Sequence, residues 1–594
     1  IADLLGFFFF PMILCLLLPS FSFTIVLEKQ FKLREMMKLM GMKMRYYFLV
    51  TYVFFYLLYC ISAALFIIFS LIFRFRFITQ TNPFMLFLFF IAWGNTLVSF
   101  AFLLSSFIGK TIVATIISYL IVLIMPMVGI ILETAVYTNV PEARFGLLTI
   151  FPLQITHFVY AASSSCNSFE CLKKVSDIYD NQSVFYSLIY MVGMSFVYFI
   201  LGLYFDAVVP QPFGVSRHPL FFLEWIWKPF TRNRVKSKNG TAKNRVSPCS
   251  KQENQDEEIV QMQEHVKKLR EDNGVVLFNL EKTYGLNRAV KGTCLTIGKS
   301  ECFGLLGMNG AGKSTTISML SGMFGPSNGT AYIYNKDIRY DMESIHKMMG
   351  LTAQFDILYP DLTCEEHLLF YSRLKGIQLK HEKEHVQSLL RQVGLDNDTL
   401  KTKWSPNSSS LSGGMKRRLS IAISLVGDPN VILLDEPTTG LDPLSKRHLW
   451  DIILAQKKNR TIILTTHSME EADVLCDRIT IMNKGSFKCL GSGVRLKSKF
   501  GDGFLLTVSY GVSSQEAAEK YVYDYVPEAQ KDLTLTGTTT FKIPFFNTKQ
   551  IGETVADNRS IAGLFQHMES GKINHGIKEW ALNQVSLEQV FLNI

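Results

Sequence analysis

Three patterns follow one another along the 594 residues and predict a multi-domain chain: an α-helical transmembrane domain, an α/β domain built on a phosphate-binding loop (P-loop), and a small α+β domain at the C-terminal end. The first pattern is a series of five apolar runs, at about 5–27, 46–73, 83–109, 111–133 and 184–206. The second is Gly307-Met308-Asn309-Gly310-Ala311-Gly312-Lys313-Ser314, a complete G-x-x-x-x-G-K-[ST] loop. The third is the change, from Val275 onward, to short β-branched strands alternating with amphipathic helices.

Each apolar run is long enough to cross a hydrocarbon core about 30 Å thick, which takes about 20 helical residues. A buried core helix would account for one such run but not for five in succession. Aromatic residues make up 13% of the chain, and phenylalanine alone occurs 47 times, mostly before residue 230. The chain therefore reads as an integral, multi-pass membrane protein. Its first run lacks the basic flank and small-residue cleavage site of a signal peptide. Because Ile1 already stands in apolar sequence, the expectation is a fragment that has lost its natural N-terminus.

Between the first two runs, Lys29, Lys32, Arg34, Lys38, Lys43 and Arg45 stand against Glu28 and Glu35, which puts segment 28–45 in the cytoplasm. Met36, Met37, Met40 and Met44 fall there at helical spacings, so the segment is expected to be a short packing helix. Counting crossings places 74–82 and 134–183 on the other side, with Arg74 and Arg76 counting mildly against the first. Residues 144–162 are apolar but interrupted by Pro152 and read as a re-entrant segment. Cys166 and Cys171 either pair in that loop or stay as two thiols, and Asn181-Gln-Ser183 is a glycosylation sequon close to the next span.

The expected domains are 1–210, transmembrane; 211–273, interfacial segment and linker; 274–500, the nucleotide-binding domain that holds the P-loop; and 501–594, a small α+β domain. Phe221, Phe222, Trp225 and Trp227 mark the interfacial stretch. Residues 231–257 are Lys/Asn/Ser-rich and then acidic, with almost nothing to bury, the composition of a disordered linker. The net charge of +10 is concentrated partly there, and a basic stretch just inside a membrane favours anionic headgroups without any nucleic-acid partner. In the last domain, strand patterns at 504–510, 533–537, 539–544 and 576–581 alternate with helical ones at 514–525, 548–556 and 586–593. A ferredoxin-like arrangement is the expectation.

Leu305-Leu306 ends a strand, the glycine loop follows, and Ser314 and Thr315 open a helix, the context a phosphate-binding loop needs. There, backbone N–H groups converge on the β- and γ-phosphates of ATP at the positive end of the helix, Lys313 adds a fixed cation, and Ser314 is a Mg²⁺ ligand. Asp435 ends the apolar strand Val431–Leu434 and can hold Mg²⁺ through water, and Glu436 is the candidate general base. His467, at the end of strand Thr461–Thr466, can contact the γ-phosphate and position the water. Gln354 can reach Mg²⁺ from the loop after strand 349–353, and Tyr284 can stack on adenine. Each has a plainer alternative: a surface glutamine, a packing tyrosine, a structural histidine, two acids at a solvated strand end. Ser412, Gly413 and Gly414 precede a helix whose N–H groups can bind phosphate, but lie too far along the domain to serve its own nucleotide.

Taken together, the P-loop, Leu411-Ser412-Gly413-Gly414-Met415 and Val431-Ile-Leu-Leu-Asp435-Glu436 resemble the motifs of ATP-binding cassette (ABC) proteins. The chain is similar to subfamily A of the ABC transporters, the lipid-transporting branch, in Glu28-Lys-Gln-Phe-Lys-Leu-Arg-Glu35 with Met40-Gly41, Leu411-Ser-Gly-Gly-Met-Lys-Arg-Arg-Leu-Ser420, His467-Ser-Met-Glu-Glu-Ala472, Leu496-Lys-Ser-Lys-Phe-Gly-Asp-Gly503 and Val590-Phe-Leu-Asn593. The resemblance covers nearly the whole chain outside 231–257. It implies a half-unit of six spans, a cassette and a regulatory domain, with cassettes pairing head to tail so that Ser412 of one closes on ATP held by Lys313 of the other. Asp442 would lie at that interface, and ATP closure would move the spans through segment 28–45. Members similar to this one move phospholipids, sterols or related amphiphiles. Departures are the five visible spans, the missing first span and extracytoplasmic domain, the missing second half, and Met415 where many cassettes have glutamine.

The competing expectation is an ATP-gated channel or regulatory subunit without net lipid transport. Glu436 and His467 argue against it, and Asn95, Lys110 and Glu133 sketch no ion pathway. A soluble cassette protein acting on nucleic acid does not fit five spans. The lipid, the direction of transport and the organelle stay open.

Overall fold

The computed structural model describes residues 2–133, 148–167, 182–209, 219, 273–359, 361–395, 411–501, 503–511, 514–544, 561–572 and 574–593. The Cys166–Cys171 pairing, the Asn181 sequon, the aromatic stretch at 221–227, the linker at 231–257 and the helical pattern at 548–556 lie outside the described residues. The chain divides into two compact units, one of residues 1–245 with 357–362 and 373–376, the other of 246–356, 363–372 and 377–594.

In the first unit, five helices among the described residues are long and apolar enough to cross a membrane: Phe9–Gln30, Met44–Ile72, Pro83–Phe107, Thr111–Ile131 and Ser183–Val208. The first is broken into Ala2–Cys15 and Leu18–Gln30. Pro19 has no N–H to give the Cys15 carbonyl, the bond an unbroken helix would make at that point. Of segment 28–45, only Leu33–Leu39 forms a separate helix, set off by Lys32 (φ 58°) and Gly41 (φ 95°). Met36, Met37 and Met40 are buried there, whereas Met44 opens the next span, so three of the four methionines share the packing role.

Phenylalanine builds the core of this unit. Phe89 stacks on Phe158 at 4.2 Å, and the Phe151 ring lies between Trp93 (5.1 Å) and Phe100 (4.1 Å). The broken apolar stretch around Pro152 is the helix Leu153–Asn167, whose Ile155, Phe158 and Val159 are buried in the same core. Gly202 of the last span meets the Leu103 backbone so closely that a Cβ would stand 3.0 Å from its nitrogen, the near approach that small residues permit between membrane helices. Asn95 accepts from the Tyr52 hydroxyl at 2.7 Å and donates to the Ile91 carbonyl at 3.0 Å, a helix-packing part. Glu133 is buried against His157, and Lys110 is exposed just ahead of Thr111–Ile131. Asp206, near the end of the last span, gathers Lys29 (2.6 Å) and Arg34 (2.8 Å) from the basic segment.

Among the described residues, the second unit forms three sheets. Strands β1 (Asn273–Tyr284), β2 (Asn287–Gly298), β4 (Asn328–Ile333) and β5 (Lys336–Asp337) form an antiparallel sheet ordered β2-β1-β4-β5. Strands β3 (Cys302–Leu306), β6 (Met349–Thr352), β7 (Val431–Asp435), β8 (Thr461–Thr466), β9 (Arg478–Asn483) and β10 (Ser486–Gly491) form the second, ordered β10-β9-β3-β8-β7-β6. All but β10 are parallel, and β3, β6, β7 and β8 are buried along their whole length, as continuous apolar strands covered on both faces must be.

Beyond Gly503, β11 (Phe504–Tyr510), helix Gln515–Tyr525, β12 (Gln530–Leu535), β13 (Thr538–Ile543), helix Ile561–Gly571 and β14 (Ile577–Gln584) make an antiparallel sheet ordered β12-β13-β11-β14. This β-α-β-β-α-β order is ferredoxin-like. Helix Ile561–Gly571 was not among the expected elements, although Leu564 and Met568, four apart and both buried, carry its spacing. The last helix, Leu587–Asn593, sends Leu587 and Val590 into a core with Leu306, Ile479 and Ile481, beneath β3 and β9.

Candidate active site

The register of the parallel sheet assembles the site. Leu306 pairs with Thr466, Asp435 with Thr465 and Thr352 with Leu434, so the chain leaves β3, β6, β7 and β8 at nearly one level. The carboxyl ends of parallel strands are where such sheets hold ligands. From β3 comes Gly307–Ser314, from β6 Gln354, from β7 Asp435 and Glu436, and from β8 His467.

The loop turns tightly into helix Lys313–Leu320. Gly312 has φ 108°, and a Cβ there would stand 2.6 Å from the Ala289 carbonyl, so only glycine fits. Lys313 is buried, and its Nζ donates to the carbonyls of Gly307 (2.6 Å) and Met308 (3.1 Å) while standing 3.7 Å from Glu436 Oε1. Ser314 Oγ donates to Asp435 Oδ1 at 3.1 Å, and Thr465 Oγ1 to the same oxygen at 2.5 Å. Gln354 Nε2 donates to Glu436 Oε2 at 3.1 Å, Thr439 Oγ1 reaches that oxygen at 3.4 Å, and His467 Nδ1 stands 3.9 Å from it. Glu436 holds a left-handed backbone, φ 46°, uncommon for any residue but glycine.

Burial governs the electrostatics. It pushes the Asp435 carboxyl above its ordinary range, with the Thr465 and Ser314 hydroxyls acting the other way. It also lowers the Lys313 ammonium, opposed by Glu436 and Asp435. Two acids and one cation, enclosed beside a loop of converging N–H groups, suit a polyphosphate and its counter-charge.

Tyr284 is exposed, and its ring meets Phe324 edge-on at 6.0 Å. Ser412, Gly413, Gly414 and Asp442 stand elsewhere: no hydrogen bond or ion pair among the described residues ties them to the loop. Ser412 caps helix Gly413–Leu425 by accepting from Met415 N at 3.2 Å, and Asp442 caps helix Pro443–Gln456 by accepting from Ser445 N at 3.0 Å. The two caps adjoin, for a Cβ on Gly414 would stand 2.7 Å from Ser445 Oγ. Sequence reasoning missed Thr465 and Thr439, which hold the two acids, and Arg417, which lies behind them. Thr465 was findable as the register partner of Asp435; Arg417 stood in plain view within Met415-Lys-Arg-Arg418.

Among the described residues, five helices long and apolar enough to cross a membrane, together with a P-loop, a strand ending in Asp-Glu and a serine-capped glycine helix, define a membrane protein of the ATP-binding cassette class. Comparisons agree: residues 290–439 match the ABC transporter family and residues 1–204 match the ABC-2 family transporter protein. ABC transporter A family member 9 of Dictyostelium discoideum is 36% identical over all of this chain and 71% of its own length. ABC transporter A family member 12 of Arabidopsis thaliana is 34% identical over all of this chain and 64% of its own. A solved dimeric ATP-binding cassette carrying ADP and phosphate is 25% identical over 37% of this chain and 98% of that one, with a TM-score of 0.34. The chain belongs to the ABC transporter A family, and its activity is ATP hydrolysis coupled to transport.

Proposed function

We propose that the chain is one half-unit of a transporter that uses ATP to move lipids or related amphiphiles across or out of a membrane. The observation that carries the energy-coupling part is the meeting of Glu436 with Gln354 and His467 next to Lys313, on a chain whose described residues include five helices able to cross a membrane. Glu436 takes a proton from the attacking water, His467 and Gln354 hold that water in line, and Lys313 turns from its loop carbonyls to the phosphates. Two carboxylate and hydroxyl oxygens, from Asp435 and Ser314, with the Gln354 amide nearby, fit a hard divalent cation such as Mg²⁺. Bound there, the cation would neutralise phosphate charge.

Ser412, Gly413 and Gly414 stand apart from the loop of their own cassette, so their N–H groups and the neighbouring Asp442 are assigned to the nucleotide of a second half-unit, in the same longer chain or in a dimer. The amphiphile is supported by the family resemblance and by a groove of about 1030 Å³ among Met44–Ile72, Pro83–Phe107 and the last span. Its walls include Leu88, Ile91, Phe185 and Phe196, its polar side chains are the uncharged Tyr52, Asn95, Ser99 and Ser195, and no lining residue is charged. Such a surface takes acyl chains or a sterol body in preference to ions. The test is movement of labelled phospholipid or sterol by the complete protein in vesicles: ATP-dependent movement lost in Glu436→Gln supports the reading, and ATP hydrolysis with no lipid moved overturns its lipid part.

A further inference from the structure

Arg417 lies three residues beyond Gly414 on helix Gly413–Leu425 and is 4% exposed. A guanidinium so enclosed needs its N–H groups matched. They are matched mainly by backbone carbonyls. Nε donates to Pro437 O at 2.7 Å, and Nη2 to Asp435 O and Glu436 O, each at 3.0 Å. Nη1 donates to Ala353 O at 2.6 Å and Gln354 O at 3.3 Å. One carboxylate joins them, Asp356, whose Oδ1 lies 3.2 Å from Nη1 and also accepts from Ser420 Oγ at 2.8 Å.

The carbonyls of residues 435, 436 and 437 are successive. In an extended strand, neighbouring carbonyls point to opposite sides, so three can converge on one group only across a sharp bend. Glu436, at φ 46°, supplies that bend. A non-glycine residue held this way is strained, and the converging carbonyl dipoles repel one another. A planar fork of five N–H donors offsets both. The same guanidinium holds the backbone of Gln354, so it binds the two segments whose side chains meet at 3.1 Å in the site.

We propose that Arg417 is a positioning residue for ATP hydrolysis, clasping the Glu436 turn to the Gln354 loop so that the carboxylate stands where the water's proton must go. This rests on the reading of Glu436 as the base. Arg417 acts through those two residues, because its N–H groups go to their backbone carbonyls, to those of Ala353, Asp435 and Pro437, and to Asp356. Lysine would keep the charge but lose the fork.

The experiment compares Arg417→Lys, Arg418→Lys and Glu436→Gln in the complete transporter in lipid, measuring kcat, ATP affinity with a fluorescent ATP analogue, and thermal midpoint. Arg418 is the control, since among the described residues it donates only to the Val393 and Gly394 carbonyls, outside the Glu436 turn. The expected result is a kcat roughly 10- to 100-fold lower in Arg417→Lys with ATP affinity and midpoint nearly kept, the size usual for a group that orients a reacting residue. Arg418→Lys should hydrolyse normally. Unchanged kcat in Arg417→Lys overturns the proposal. So does failure to fold, or loss of turnover, affinity and midpoint together, because Arg417 would then serve the fold alone. Turnover persisting in Glu436→Gln overturns the base reading itself, whatever Arg417→Lys does.

Discussion

Gln354 and Glu436 come from different strands, yet Gln354 Nε2 donates to Glu436 Oε2 at 3.1 Å, on the oxygen that His467 Nδ1 approaches to 3.9 Å. The carboxylate is thus turned toward two groups able to steer a water molecule. Glu436→Gln should lower turnover by roughly 10²–10⁴-fold, the usual contribution of a general base, while ATP still binds. Gln354→Ala should cost less and leave binding nearly intact. Steady-state hydrolysis and equilibrium binding on the same samples check both.

Lys313 donates to the carbonyls of Gly307 and Met308, an arrangement that ATP phosphates would replace. Its hydrogen bonds to phosphate would be charge-assisted, worth about 1.5–3 kcal/mol, so Lys313→Ala should weaken ATP binding by roughly 10- to 100-fold. Titration with a fluorescent ATP analogue measures this; unchanged affinity would remove Lys313 from the site.

Asp206 is the shared counter-charge of Lys29 and Arg34, with side-chain exposures of 13%, 6% and 8%. Removing it leaves two enclosed cations facing each other. Asp206→Ala should therefore destabilise the membrane helices by about 3–5 kcal/mol, as broken buried pairs do. The check is the thermal midpoint in detergent, and restoration by Asp206→Glu is expected in part.

His367 is fully buried on helix Cys364–Lys375, and burial lowers its imidazole from the ordinary 6.5, with the Thr363 carbonyl and Glu366 acting the other way. The folded protein thus favours the neutral ring. The unfolded chain binds the proton first as pH falls, so stability is full above pH 6.5 and declines from there down to the lower folded value. Unfolding midpoints between pH 5 and 8 should show that slope, and His367→Gln should flatten it.

Much of this was legible in the sequence, for physical reasons. Spans are set by length and apolarity, which are local, so the five runs and the five helices agree closely. The P-loop and the Asp435-Glu436 strand end were legible because phosphate binding needs a fixed order of glycines, and a buried parallel strand needs an unbroken apolar run. What stayed hidden depends on partners distant in sequence. Asp206 finds Lys29 and Arg34 only once the last span folds back, and Arg417 reads as one more basic residue until three carbonyls turn toward it. The first span's break was signalled by Pro19, within an apolar run that otherwise looked continuous.

The most direct measurement is ATP hydrolysis by the complete protein in bilayers of defined composition, with and without Glu436→Gln, across a panel of phospholipids and sterols. Turnover stimulated by one lipid class and abolished by the substitution is the predicted result. ATP binding with negligible turnover that neither the lipids nor Glu436→Gln alters would contradict it and leave a nucleotide-controlled switch.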